Sequence, residues 1–326
     1  MAFKDIKGQA SVVKYLQTAL AKDRLASAYL FVGPDAASKE QVGLNLAKTI
    51  NCDNSLDTDC CDSCTSCNLI NKLSHPDIHI LDCDNSSIKI EQIRELQQNI
   101  YLRPYQAKKK FYVINNIEKL TGDAANAFLK TLEEPPKDSL IILTANSVSG
   151  ILATVLSRCQ KVNFGLLSSE EVAKDLQGKF KLDKQFSEYL AKFSSGKLSS
   201  AIDLKDRNML DFKNRVIDYF ILQKISVDKE EFFLKDKTDM NLCLCVILSW
   251  LRDLLVLRSN PNRDNLINQN EFTQLSQACQ KVDVEKVNET INFVFNSSVY
   301  LDQNINIKLI SSIFIDKLKG ISSWSN

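Results

Sequence analysis

Five short apolar runs separated by segments of helical period constrain the first half of this chain to an α/β fold. The runs are Ala28–Val32, Asp77–Asp82 (Ile78, Ile80 and Leu81 apolar), Phe111–Ile114, Leu140–Leu143 and Val162–Phe164. Between them, Ser11–Ala21 repeats Val12, Val13, Leu16 and Leu20, and Gln41–Ile50 repeats Val42, Leu46 and Ile50. Ile90–Leu102 places Ile90, Ile93, Leu96 and Ile100 on one face, and Asp123–Leu132 is stopped by Pro135-Pro136. Spacings of three and four residues mark one face of a helix, and apolar runs of four to six mark buried strands. Strands alternating with helices predict a parallel sheet covered on both faces.

The strand signal ends at Gly165. Ser168-Ser169-Glu170-Glu171 has the hydroxyl cap and acidic first turn of a helix start. Helical segments follow at 169–176, 184–193 and 198–204, with a turn at Gly196. From Asp206 onward the pattern is helical again. The expected division is an α/β core over 1–165, an all-α lid over 166–205 and an all-α C-terminal domain over 206–326. A length of 326 residues accommodates two or three such units.

Net charge is +1, so no global basic field draws in nucleic acid, and any DNA contact rests on a local patch or on partners. Lys108-Lys109-Lys110 is one candidate patch, more simply read as a solvated edge. The start, Met1-Ala2-Phe3-Lys4-Asp5, lacks a long apolar core, and the apolar stretch Leu242–Leu257 contains Arg252 and Asp253 and falls short of a bilayer span of about 20 residues. The expectation is a cytoplasmic protein with no membrane contact.

Five of the ten cysteines crowd into positions 52–67. Cys52, Cys61, Cys64 and Cys67 give C-x8-C-x2-C-x2-C, with Cys60 as an alternative to Cys61. Four thiolates around Zn²⁺ make a closed tetrahedral site with no position for water, hence a structural one. Unpaired thiols or an iron–sulfur cluster are the competing readings. His75 and His79, beside Pro76 and Asp77, read as structural rather than as ligands.

After the first strand comes Gly33-Pro34-Asp35-Ala36-Ala37-Ser38-Lys39-Glu40. A working phosphate loop reads G-x-x-x-x-G-K-[ST]. Lys39 is present, but Ser38 stands for the second glycine and Glu40 for the hydroxyl residue that binds Mg²⁺. The segment is therefore either a degenerate phosphate loop or a plain strand–helix turn. Phe111–Ile114 is followed by Asn115-Asn116, where an ATPase carries Asp-Glu to order Mg²⁺ and polarise water. Neither asparagine supplies that anion, so ATP hydrolysis is not expected and ATP binding by this chain is disfavoured. Arg158, in Ser157-Arg158-Cys159, is either an ordinary surface arginine or one that stabilises a phosphoryl group bound by a neighbour.

Several segments together resemble bacterial clamp-loader AAA+ subunits: Asn126–Pro136 (NAFLKTLEEPP), Ser157-Arg158-Cys159, the four-cysteine module, Gly8-Gln9 and Gly33-Pro34, with Trp250–Leu255 and Asn304-Ile305-Asn306 resembling the family's helical collar. The resemblance implies an AAA+ core with a zinc module, then a lid and an oligomerising collar. It implies a non-hydrolysing stator in the replicative clamp loader of a DNA-directed DNA polymerase holoenzyme. Arg158 would then reach the ATP of an adjacent ATPase subunit. The implied partners are ATPase subunits, a clamp-opening subunit, the sliding clamp and, through the assembled complex, primed DNA. The family's sensor 1 position falls near Ala145 or Asn146, and Lys197 lies near its sensor 2 turn. An active clamp-loader ATPase with a divergent site, a zinc-containing nucleic-acid adapter, and a scaffold with an idle Arg158 are the alternatives.

Overall fold

The computed structural model describes residues 2–6, 8–55, 58–82, 87–221, 237–302 and Ile313. Asn304-Ile305-Asn306 lies outside the described residues. The chain divides into two compact units, 1–179 with 195–200, and 180–194 with 201–326.

The first unit holds a five-stranded sheet of β1 (Ala28–Val32), β2 (Ile78–Leu81), β3 (Lys110–Ile114), β4 (Ser139–Ala145) and β5 (Gln160–Asn163). The order is β2-β3-β4-β1-β5 and every pairing is parallel. β1 registers Ala28 on Ile141 of one neighbour and Tyr29 on Gln160 of the other. The helices are α1 (Ala10–Ala21), α2 (Ala36–Asn51), α3 (Thr65–Asn71), α4 (Ile90–Ile100), α5 (Gly122–Glu133), α6 (Ala153–Leu156) and α7 (Ser169–Phe180).

Side chains alternate across the sheet because successive strand residues point to opposite faces. Tyr29, Phe31, Phe111, Val113, Leu140, Ile142 and Val162 pack with Val12, Leu16, Val42 and Leu46 of α1 and α2. Ala28, Leu30, Tyr112, Ile114, Ile141 and Leu143 pack with Ile93, Leu96, Phe128 and Leu132 of α4 and α5. The expected two-sided α/β core is what these residues build.

Two local departures from expectation have physical causes. α2 starts at Ala36, five residues before the apolar period, because the Asp35 carboxylate caps it. Lys108–Lys110 is a solvated edge only in part: Lys108 is exposed, Lys109 half-buried and Lys110 buried. Lys110 is 6% exposed with its Nζ donating to the Asn99 carbonyl at 2.9 Å, and Lys108 Nζ donates to the Cys52 carbonyl at 2.8 Å.

The second unit is helical: α8 (Lys184–Phe193), α9 (Leu198–Asp206, from residue 201), α10 (Met209–Val216), a π turn at Ile217–Ile221, α11 (Lys237–Ser259), α12 (Phe272–Lys281) and α13 (Val284–Asp302). At 23 residues and about 1.5 Å per residue, α11 is long enough to cross a bilayer, which corrects the length argument made from the apolar stretch. It is nevertheless a core helix, with 61% of its most apolar window buried in the protein. Asp253 of α11 is fully buried and accepts hydrogen bonds from the amides of Ile267 and Asn268 and from Asn268 Nδ2. A buried carboxylate needs such donors, and here they fix the loop before α12.

Candidate functional site

The Gly33–Glu40 segment sits at the carboxyl ends of β1 and β4. Gly33 allows a close approach: a Cβ there would stand 2.5 Å from the Phe164 carbonyl oxygen. The loop then enters α2, whose free N–H groups and positive dipole end form a natural anion site. That end already has an anion. Asp35, fully buried, accepts from the Ser38 amide at 3.0 Å and the Ser38 hydroxyl at 2.5 Å through Oδ2. Its Oδ1 accepts from the amide and hydroxyl of Ser199, at 2.9 and 2.7 Å. Ser199 lies in the first turn of α9, so one carboxylate joins the starts of two helices. Ahead of it Gly196 (φ +83°) makes the turn, where a Cβ would meet the Leu167 carbonyl at 2.2 Å. Lys197 is exposed.

Lys39 is 1% exposed, and its Nζ donates to the carbonyls of Gly33 at 2.6 Å and Ala145 at 2.7 Å. Burial holds its pKa below the ordinary value, against the opposing pull of Glu118 and Asp35. Glu40 is pushed up, first by burial and then by the charge of Asp82. A half-buried carboxyl beside another carboxylate is a poor neighbour for a triphosphate.

Asn115 and Asn116 follow β3 directly. Asn115 Nδ2 donates to Asp82 at 2.7 Å, and its Oδ1 accepts from the Thr144 hydroxyl at 2.9 Å. Asn116 takes a left-handed conformation, φ 54°, and its amide donates to Thr144 Oγ1 at 3.3 Å. Asn115 is thus a neutral bridge between β2, β3 and β4. Of the two candidate sensor 1 positions, Ala145 gives its carbonyl to Lys39, while Asn146 donates from its amide and Nδ2 to Glu118, both at 3.1 Å.

Arg158 follows α6. Its Nε donates to Glu133 Oε1 at 3.0 Å, its Nη2 pairs with the same oxygen, and its Nη1 donates to the Thr154 carbonyl at 2.8 Å. The side chain is 32% exposed and that of Glu133 is 50% exposed. Two motif segments that sequence spacing could not connect, 126–136 and 157–159, therefore meet through an ion pair.

Cys52 closes α2, and Cys64 caps α3 by accepting from the Cys67 amide. The sulfurs of Cys52, Cys61, Cys64 and Cys67 lie within 4.8 Å of one another, and this set could hold a metal ion. Cys52 Sγ stands 3.5 Å from Cys61 Sγ and 3.9 Å from Cys64 Sγ. A tetrahedron with metal–sulfur bonds of about 2.3 Å has edges of about 3.8 Å. Amides of Cys61, Cys64 and Cys67 donate to neighbouring sulfurs at 3.3–3.4 Å, which favours thiolates. Hydrogen bonds from the Ser63 amide and hydroxyl hold Cys61 down to about 6, while burial and the adjacent sulfurs push Cys67 up. A central cation would relieve that crowding. Cys60 is outside the set. It is buried beside Asp59, whose carboxylate accepts from the amides of Phe3, Lys4 and Cys60. Buried Lys48 braces the loop by donating to Asp62 at 2.7 Å and Asn71 at 2.9 Å.

His75 and His79 are structural. His75 Nδ1 accepts from the Asp77 amide at 3.1 Å, and His79 stacks on Tyr112 at 4.7 Å. Reading the sequence missed Asp77 itself. This carboxylate, 1% exposed, accepts from the amides of Tyr105, Gln106 and Ala107 at 2.8–2.9 Å and shapes the loop before β3. It also missed Asp35, Ser199 and Glu133, whose partners are 164 and 25 residues away.

A family model described as DNA polymerase III, delta subunit, matches residues 8–168, and a second, described as DNA polymerase III, delta subunit, C terminal, matches residues 228–316. The chain is similar to the DNA polymerase III subunit delta' of Bacillus subtilis, 29% identical across 92% of this chain and 93% of that protein. It is also similar to the DNA polymerase III subunit gamma/tau of Mycoplasma genitalium, 31% identical across 98% of this chain and 56% of that protein. Among solved structures, a gamma subunit-related protein of DNA polymerase III from Thermotoga maritima aligns over 94% of this chain and 98% of its own, with a TM-score of 0.52 and 16% identity. At that identity the likeness concerns the fold alone, a parallel α/β core followed by a helical region.

Proposed function

The chain belongs to the bacterial DNA polymerase III delta-prime family of clamp-loader subunits, and from that membership we propose that it is the non-hydrolysing stator of a clamp loader. The observation that carries this reading is the Asp35 carboxylate seated on the N-terminus of α2, with Lys39 turned onto two backbone carbonyls. The groups that would receive a phosphate are spent on the chain's own atoms. Asn115 and Asn116 supply no anion for Mg²⁺ or for activating water. Hydrolysis then belongs to the neighbouring subunits.

Arg158 is the part that acts in trans. It is partly exposed, permanently charged, and presented at the end of α6. Set against the ATP of an adjacent ATPase subunit, it stabilises charge on the transferring phosphoryl group, an effect worth about 10³–10⁵ in rate where such an arginine is fully engaged. Cys52, Cys61, Cys64 and Cys67 hold one Zn²⁺, which supplies four bonds in place of a hydrophobic core for the 52–67 loop. The division into core (1–165), lid (166–205) and collar (206–326) is the functional one, with the collar joining the ring. The partners are the ATPase subunits, the clamp-opening subunit, the sliding clamp and primed DNA reached through the complex. The compartment is the cytoplasm.

Lys39, kept at the lysine position of a phosphate loop, favours a second reading, an active ATPase subunit with a divergent site. One experiment separates the two: ATP turnover by the isolated chain, and by the ring reconstituted with clamp and primed DNA, for the native chain and Arg158→Ala. The stator reading expects no turnover from the isolated chain and a large loss in the intact ring for the variant. Mg²⁺-dependent turnover by the isolated chain, abolished by Lys39→Ala, would establish the second reading instead.

A further inference from the structure

We propose that Glu133 is a positioning residue for Arg158, an inference that rests on the trans-acting role of that arginine. The backbone of Arg158 is anchored, its amide donating to the Val155 carbonyl at 3.2 Å as α6 ends. The side chain is a different matter. Arginine has several rotatable bonds, and fixing them at the moment of engagement costs entropy. Two neighbours fix them in advance. Thr154 offers its carbonyl, at the negative end of α6, to Nη1. Glu133, the last residue of α5, takes Nε and Nη2 on the single oxygen Oε1.

The chemistry of that choice decides what is left. A guanidinium carries five N–H donors in a rigid plane. Glu133 occupies the side edge, Nε with Nη2, and Thr154 takes one N–H of Nη1. The hydroxyl of Ser157 accepts from Nη1 only at 3.3 Å, a contact that yields to a stronger acceptor. The Nη1/Nη2 end is therefore the edge with donors to spare, and it is the edge that can fork onto a phosphate. Half-exposed Glu133 is not a buried acceptor that consumes the charge. It orients the fork and leaves its far end for an anion outside this chain. This gives the first glutamate of Leu132-Glu133-Glu134-Pro135-Pro136 a task beyond ending a helix. Pro135-Pro136 terminates α5 so that its last side chain faces the segment carrying the arginine.

The test is steady-state ATP turnover of the reconstituted clamp-loader ring, with clamp and primed DNA, carrying this chain as native, Glu133→Ala, Glu133→Gln, Arg158→Ala or the Glu133→Ala/Arg158→Ala pair. Ring assembly is verified for each by size-exclusion chromatography. Positioning of a group used in the transition state lowers kcat and leaves KM for ATP nearly unchanged. The expected loss for Glu133→Ala is about two- to fivefold in kcat, the range of an exposed charge contact. Glu133→Gln, which keeps an acceptor oxygen, restores most of it. In the Arg158→Ala background Glu133→Ala has no further effect, because residues acting as a unit are not additive. The inference is overturned if Arg158→Ala lowers kcat while Glu133→Ala leaves it unchanged or raises it, or if the two losses multiply. Unchanged turnover in Arg158→Ala would instead remove the trans-acting arginine, and the positioning role with it.

Discussion

Asp35 and Ser199 are joined by two hydrogen bonds, from the serine amide at 2.9 Å and its hydroxyl at 2.7 Å, across 164 residues of sequence. The same carboxylate caps α2 through Ser38. A nucleotide-binding relative would have a phosphate at a helix start of this kind; here an internal anion stands there. The bond ties the 195–200 turn to the Gly33–Glu40 segment.

Asp35→Ala should therefore destabilise the protein by about 2 kcal/mol or more. A lost N-cap alone costs about 1 kcal/mol, and the half-buried Ser199 donors lose their acceptor as well. Urea titration followed by circular dichroism reads this directly. A change within about 0.5 kcal/mol would mean that the bridge is not part of the stable fold.

The cysteine geometry makes a paired prediction. Cys61→Ser should abolish metal retention, and Cys60→Ser should leave one metal per chain, as measured by elemental analysis after exhaustive dialysis. The four-sulfur cluster contains Cys61 and excludes Cys60. Removing the metal with a chelator should lower thermal stability in the native chain and in Cys60→Ser alike. A native chain that folds with no bound metal would remove the zinc assignment.

Asp77 makes part of the stability pH-dependent. Burial pushes its carboxyl up, but the amides of Gln106, Tyr105 and Ala107 outweigh burial and hold it below the ordinary 3.8. A depressed carboxyl contributes stability that is fully present above the unfolded value and is lost as pH falls through the folded one. Stability should thus drop below about pH 4. Asp77→Asn should flatten that part of the profile while costing about 2–4 kcal/mol at neutral pH, because three amides lose a charged acceptor. Urea midpoints for both proteins between pH 3 and 7 check the sign and the size.

Lys39 yields a prediction about nucleotide. Its ammonium is committed to the Gly33 and Ala145 carbonyls, so Lys39→Ala should cost stability, about 1–3 kcal/mol, because both carbonyls lose a charged donor and Ala145 keeps only the Gly33 amide. It should leave ATP affinity of the isolated chain unchanged at whatever low level the native chain has. Isothermal titration with Mg-ATP measures the second point. A clear loss of affinity in the variant would show that Lys39 still serves a phosphate.

The sequence by itself determined the α/β core, because a period of two in the strands and of 3.6 in the helices is a local consequence of where a side chain must point. It also carried the resemblance of the Leu129–Pro136 and Ser157–Cys159 motifs to a family, and the proposal that Ser38, Glu40, Asn115 and Asn116 lack the chemistry of hydrolysis. It placed Cys61 in the ligand set and kept Cys60 as an alternative, since spacing does not say which sulfur faces inward. Tertiary structure decided that by turning Cys61 toward Cys52 and burying Cys60 beside Asp59. It likewise decided the partners of Asp35, Asp77 and Glu133. Each is an acidic residue in a turn or at a helix end, where sequence patterns assign a solvated charge. Each instead meets donors from a distant segment, because a buried or half-buried carboxylate is stable only where folding has brought N–H or O–H groups to it.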